Sequence, residues 1–407
     1  MRRAGFTDSG TALDKYRDPA APGGTWWAEG EGGGDLRESL TTLFFHEHRP
    51  EFTSANVYKG LVLFVRIFDH QDTGSESSGW RLPSGDYDIP LAFTDKQFDQ
   101  AGQLTFDQFA VDGFLGDKIA VNGKIQPFFE VKRRKYRFRL LNGGPSRFYR
   151  FVLRKGGTNY PFVQLGASGN FLEFPRTLRN LDLWVAERPD IVIDFKQFQP
   201  GDRVYLANTL VMREDGRGED QGKQANPNQV QNQVLEFRVQ GDPVTDSPPI
   251  PSRFRPLPPV NLASVARTRT WKFERKNGQW AVNGQFFDPD FDHQDRFLDN
   301  PINTVRRNTS EVWVLESTSN GWDHPLHVHF EEGIAFRQNG TNIPAQRRFR
   351  TDVHRLRNVK LEVFMQFRDF PDPEFSGRRG DVGRYVLHCH NMLHEDHAMM
   401  ATWNIVP

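Results

Sequence analysis

The chain has 407 residues, 52 of them basic and 52 acidic, and a single cysteine. That length can bury more than one core and suggests two to three domains, while the balanced charge, with no polybasic or acidic tail, argues against nucleic acid or an anionic membrane as partner. One cysteine excludes an internal disulfide framework, and the longest aliphatic run, Leu61 to Val65, stops at Arg66 and is too short to span a bilayer, so a soluble protein is expected.

Residues 1–40 carry Gly23-Gly24 and Gly32-Gly33-Gly34 among charged residues with no apolar period, the pattern of a poorly ordered segment. Met1-Arg2-Arg3 is followed by polar residues, so no signal peptide is visible in this chain. Residues 41–79 predict two strands, one bearing Phe45-His46-Glu47-His48 and one within Val57 to Phe68, too few to close a barrel. From 80 to 240 short strands alternate with turn residues, as in Tyr136 to Leu140 ahead of Asn142-Gly143 and again in Ile191 to Phe195, predicting an all-β barrel or sandwich. Arg213 to Gln229 reads as a polar loop, and 241–261 as a stiff proline-rich linker. The last unit, 262–407, has strand candidates at Thr270–Arg275, Glu311–Glu316, Leu326–Phe330, Lys360–Phe367 and Arg384–Cys389.

Chemistry-bearing residues concentrate in this last unit. In Leu387-His388-Cys389-His390 through Met400, Cys389, His394 and Met399 are spaced by five residues each and supply a thiolate, an imidazole and a thioether. Those groups, with one more imidazole, form the ligand set of a blue electron-transfer copper; zinc prefers four tetrahedral ligands without a thioether. Side chains alternate along a strand, so His388 and His390 point away from the face that Cys389 occupies and are free for a second metal site. In Trp322-Asp323-His324-Pro325-Leu326-His327-Val328-His329, His327 and His329 share one face, and His324 is available as the missing blue-copper ligand. His46 and His48 form a third His-x-His pair. His70, His293 and His354 stand alone and read as ordinary polar residues, and His397 is ambiguous.

These motifs, His-Pro-x-His-x-His followed by His-Cys-His-x3-His-x4-Met, together with Asn56 to Leu61 and Arg137 to Asn142, resemble the multicopper oxidases, and most of all the bilirubin oxidases and spore-coat laccases. The resemblance runs from about Leu43 to the end. It implies an all-β fold of tandem cupredoxin-like Greek-key barrels, with 41–79 a truncated first domain, 80–240 the second and 262–407 the third. It further implies a type 1 copper on His324, Cys389, His394 and Met399. In the trinuclear cluster it places His327 at the type 2 copper, His48, His329 and His388 on one type 3 copper, and His46 and His390 on the other. The family's first His-x-His-Gly motif has no counterpart, since no histidine precedes His46; in this sequence the cluster is incomplete.

The function implied is oxidoreductase: one-electron oxidation of a phenol, a related aromatic or a metal ion, with electrons passing through Cys389 to His388 and His390 and oxygen reduced to water. An alternative is a copper-binding electron-transfer protein that keeps the type 1 site without oxidase turnover. Glu395 follows a copper ligand directly and is a candidate proton donor to oxygen, with a structural acid as the competing reading. Glu331 and Glu332 are weaker candidates for meeting an electron donor such as Mn²⁺. Relatives are often exported or spore-coat proteins, which leaves compartment open, and a homo-oligomer is compatible with the sequence.

Overall fold

The computed structural model describes residues 40–287, 303–317, 321–329, 331–367 and 383–406. The expectation for residues 1–40 falls almost wholly outside that range; Leu40 itself forms a bridge to Asn170. His293 also lies outside it.

The fold is all-β. Its first element is a hairpin of β1 (Thr42–Phe45) and β2 (Leu63–Arg66), paired antiparallel with Phe45 opposite Leu63. Between them Thr53–Lys59 forms a helix, α1, where the sequence predicted a strand from Val57. Gly60 ends α1 with φ 110, a left-handed conformation that a side chain rarely adopts. The start of α1 is held from far along the chain, because the Asp396 carboxylate accepts from the Thr53 and Ser54 amides. His46 and His48 stand just beyond the end of β1 rather than within it.

Two larger β units follow. In the first, a sheet ordered around Tyr149–Lys155, Arg203–Asn208 and Gln233–Pro243 faces one built around Phe162–Gly166, Asp190–Asp194, Lys135–Asn142 and Asp88–Phe98. Phe93, Phe138, Leu140, Phe151, Phe195, Leu206 and Phe237 fill the space between the sheets. Two parallel pairings, Asp88–Phe98 with Lys135–Asn142 and Gln233–Pro243 with Phe128–Arg133, show strands crossing between sheets rather than running as simple hairpins. The segment read as a polar loop contains a strand, Glu219–Gln224, paired with Leu210–Met212. Within 241–261, Phe254 is buried against Trp80 and Phe171, so that part of the proline-rich stretch is packed.

The second large unit repeats the plan. A sheet running through Val265–Lys276, Thr309–Ser317, Lys360–Phe367 and Gly333–Gln338 covers a five-stranded sheet ordered Thr304–Arg306, Met400–Val406, Gly383–Cys389, Asp323–Val328, Val353–Arg357. Trp271, Trp280, Trp313 and Trp403 are fully buried between them, and Cys389 and Met399 lie in the same core. Register then fixes the site. Leu326 pairs with Cys389 and His327 with His388; Leu326 and Cys389 are core residues, so by strand alternation His327 and His388 lie on the opposite face of the sheet.

A buried ionic network fastens the hairpin to the first large unit. Arg137 donates to Asp190 and Asp72, Arg139 to Asp88, and the Thr41 and Thr42 hydroxyls donate to the two Asp190 oxygens at 2.5 and 2.6 Å. All of these groups are buried.

Candidate metal centre

On the core side of the Gly383–Cys389 strand, three donors converge. His324 Nδ1 lies 3.4 Å from Cys389 Sγ and 3.2 Å from His394 Nδ1, which is itself 3.5 Å from Cys389 Sγ. A triangle of that size has a centre about 2 Å from every corner, the length of a metal–imidazole bond. His394 is oriented from outside the triangle: its Nε2 is 3.1 Å from the Asp112 carbonyl, which can only accept, so Nε2 carries the proton and Nδ1 presents its lone pair inward. Asn391 Nδ2 donates to the same carbonyl, and its Oδ1 accepts from the Leu393 amide and the Ser146 hydroxyl. The Trp280 ring covers His394 with centroids 3.9 Å apart and anchors itself by donating to the Val111 carbonyl. Met399 is buried beside this triangle, its amide bonded to the His394 carbonyl and its carbonyl to the Cys389 amide.

Electrostatics at this triangle call for a cation. Burial alone lowers His324 to about 3, and burial together with the neighbouring His324 ring holds His394 well below its ordinary value, so both imidazoles are neutral donors. Burial also pushes the Cys389 thiol up; a thiolate here needs a positive charge in contact with it. A soft divalent or monovalent metal ion satisfies all three groups.

On the other face of the sheet six imidazoles gather. His48, His329 and His388 each offer a nitrogen within 4.8 Å of the others. His46 Nε2 and His390 Nε2 are 3.0 Å apart, and the His327 ring stands 4.6 Å from His329 and 5.6 Å from His390. Backbone carbonyls fix two tautomers: Glu47 accepts from His46 Nδ1 at 2.9 Å and Asp352 from His327 Nδ1 at 3.1 Å, leaving Nε2 of each ring with a lone pair. Burial lowers His46 to about 4 and His329 to about 2, and holds His327 and His390 well below their usual range. Nε2 of His388, Nε2 of His329 and Nδ1 of His390 are buried without a hydrogen-bond partner. Converging imidazoles, with His46, His327, His329 and His390 held neutral by burial, are the donor chemistry of a metal cluster, and both faces therefore fit metal ions; at His48 the Glu395 carboxylate more than reverses the effect of burial and raises the ring above its ordinary value. Among the described residues only the His48, His329 and His388 group brings three such nitrogens together on this face.

Glu395 sits beneath this cluster, buried, with Oε1 2.8 Å from His48 Nδ1 and Oε2 2.9 Å from His388 Nδ1. The His388 nitrogen is also 3.2 Å from the Cys389 carbonyl, with which it forms a hydrogen bond. Burial raises the Glu395 carboxyl, but the charges and hydrogen bonds of His388 and His48 outweigh it and hold the group well below the usual carboxylate range. A cavity of ≈ 260 Å³ borders Glu395 and His48, lined also by Asp396, His397 and the exposed Pro50 and Glu51.

Other sequence candidates fall elsewhere. Glu331, a weaker candidate for meeting an electron donor, is buried. His354 is buried too, lowered to about 4 by that burial, and pairs across from Leu326. Sequence reasoning missed Asp112, Trp280, Arg188 and Asp352. Asp112 acts through its backbone, which no residue type betrays.

The multicopper oxidase family description matches residues 263–407. A laccase from Bacillus stratosphericus is 30% identical over 406 residues, covering 91% of this chain and 72% of that protein. The chain belongs to the multicopper oxidase family. A bilirubin oxidase from Albifimbria verrucaria is 31% identical over 381 residues, covering 90% of this chain, which spans only 61% of that protein's length. Among solved structures, the McoA multicopper oxidase of the hyperthermophile Aquifex aeolicus superposes with a TM-score of 0.76 at 25% identity, covering 91% of this chain and 76% of that one. These β-domain neighbours share the cupredoxin-like fold, and copper is the cofactor that the family and both donor sets imply. No helix among the described residues is long and apolar enough to cross a membrane.

Proposed function

We propose that this chain forms the copper-binding body of a laccase- or bilirubin-oxidase-type oxidoreductase, which takes electrons singly from a phenolic, related aromatic or metal-ion reductant and delivers them to oxygen, reduced to water. One observation carries the reading: consecutive residues His388, Cys389 and His390 belong to two donor groups on opposite faces of one strand end. Copper, when bound, supplies one-electron redox chemistry at both groups. His324, Cys389, His394 and Met399 would hold the ion on the core face. His327, His46 with His390, and His48 with His329 and His388 would hold those on the other. Cys389 then joins the two by covalent bonds alone.

His394 is fully buried, so a reductant does not touch its ring. It meets the residues above it, where Arg275 forms an ion pair with Asp112 at 2.6 Å and lies over the rings of Trp280 and Trp322. Trp322 and the cationic Arg275 suit an electron-rich aromatic. At the far site Glu395 orients His48 and His388, and the adjoining cavity with Asp396, His397 and Glu51 supplies a route for protons and water.

A second reading is favoured by the uneven donor count: the Cys389 triangle is closed, whereas His327 and the His46–His390 pair are each short of the three or four ligands a copper takes. Under it the chain is an electron-transfer module. Oxygen uptake by the copper-loaded chain with a phenolic reductant decides between them. Uptake that requires Cys389 supports the oxidase, and a blue copper that is reduced but never reoxidised by oxygen supports the module.

A further inference from the structure

Arg188 is fully buried, yet its charge belongs to no part of the donor sets. It follows Glu187 in the first large unit, and both neighbours pair with residues of the second. Glu187 takes Arg355 in a two-pronged pair, both contacts 2.6 Å. Arg188 grips Asp352 in another, Nη1 to Oδ1 at 2.9 Å and Nη2 to Oδ2 at 2.7 Å. Its remaining donors go to the Ala186 carbonyl at 2.9 Å and the Thr42 carbonyl at 3.3 Å. Ala186 has φ 66, a left-handed conformation that costs a side-chain-bearing residue free energy and persists only when its surroundings enforce it. The guanidinium carbon also lies 4.8 Å from the Phe44 ring centroid.

Each partner leads to the histidine cluster. The backbone carbonyl of Asp352 accepts from His327 Nδ1, and Phe44 packs against His46, His390 and His327 at 5.3, 5.4 and 5.9 Å. One guanidinium therefore bears on His327 from two sides, through the segment that holds its proton and through the ring that packs on its face.

We propose that Arg188 is a positioning residue for the cluster, fixing His327 as the Nδ1-protonated tautomer with Nε2 free for a metal ion. The inference deepens the functional reading above, but the tautomer exists without metal and is tested without it. A planar fork that grips a carboxylate at two points holds its orientation; an ammonium does not. Substituting groups that orient a ligand histidine typically weakens metal binding about 10- to 100-fold.

The test uses the full chain with ¹⁵N-labelled histidine, comparing wild type with Arg188→Lys and Asp352→Asn. The second variant keeps the Asp352 backbone carbonyl and the side-chain shape while removing the clamp, and serves if the first does not fold. The His327 signals, assigned by their loss in His327→Gln, should show one Nδ1–H tautomer in wild type and a several-fold rise of the Nε2–H form in either variant. Copper(II) titration should then show cluster affinity about 10- to 100-fold lower, with the Cys389-dependent blue absorption unchanged as evidence of an intact fold. Lower stability with the His327 tautomer and cluster affinity both as in wild type would reduce Arg188 to an interface residue and overturn the proposal. Wild-type chain that takes no copper at the cluster would instead defeat the functional reading, while the tautomer comparison would still decide the role of Arg188.

Discussion

Asp190→Ala strikes the network that holds the segment leading to His46 and His48 in place. The Asp190 carboxylate accepts from Arg137 Nε and Nη2 at 3.1 and 2.6 Å and from the Thr41 and Thr42 hydroxyls, and Arg139 Nη1 stands 3.5 Å away. Burial raises the Asp190 carboxyl, but Arg137 and Arg139 more than reverse this and keep it below its ordinary value, so it is a charge there. Its removal leaves two buried guanidinium groups underpaired and two buried hydroxyls without their acceptor, a loss of about 3–5 kcal/mol, which is a large share of the roughly 5–15 kcal/mol that stabilises a typical domain. Thr41 and Thr42 lead directly into β1 and on to His46 and His48, so the loss is felt at the cluster before it is felt at the Cys389 triangle. Urea unfolding followed by tryptophan fluorescence should show the destabilisation, and copper analysis should show cluster copper lost while the blue absorption persists. A change below about 1 kcal/mol, with cluster copper retained, would refute the claim that this network anchors β1 and the histidines that follow it.

Metal-free protein should be acid-labile in a defined window. His46, His324, His329 and His354 are depressed by burial to about 4, 3, 2 and 4, so unfolding takes up protons below the unfolded value near 6.5; stability is complete above that pH and falls as pH drops from there toward the folded values. At pH 5.5 each group costs about 1.4 kcal/mol and the four together on the order of 5 kcal/mol; unfolding midpoints that stay flat from pH 7 to 5 would contradict this, and bound copper should shift the loss to lower pH. Gly218→Ala should disturb the blue site from outside it. A Cβ at that position, where φ is +144, collides with the Asp323 carboxylate beside His324, so we expect a loss of about 1–3 kcal/mol and a shifted blue absorption, against an unaltered spectrum if Asp323 yields without moving His324.

The fold class and the grouping of the candidate donor residues were legible because both write themselves into local sequence. Alternation marked Lys360–Phe367 and the strand through Cys389, and Cys389 flanked by His388 and His390 announced two donor faces from spacing alone. Legibility failed where long-range contacts decide. Helix α1 contains the valine and tyrosine of a plausible strand, but its first amides are capped by Asp396, over 340 residues away. The orientation of His394 rests on a backbone carbonyl at Asp112, and that of His327 on the backbone carbonyl of Asp352, whose carboxylate Arg188 clamps. Neither has a motif, because a carbonyl is common to every residue and an arginine–aspartate pair is recognisable only once the chain has brought its members together.

Loading the full chain with copper and recording copper per chain with visible and paramagnetic spectra, with Cys389→Ser alongside, decides whether the two donor faces hold different coppers. Wild type should show an intense blue absorption that vanishes in the variant, together with non-blue copper that the variant retains on the opposite histidine face. Copper that binds without any Cys389-dependent absorption would contradict this.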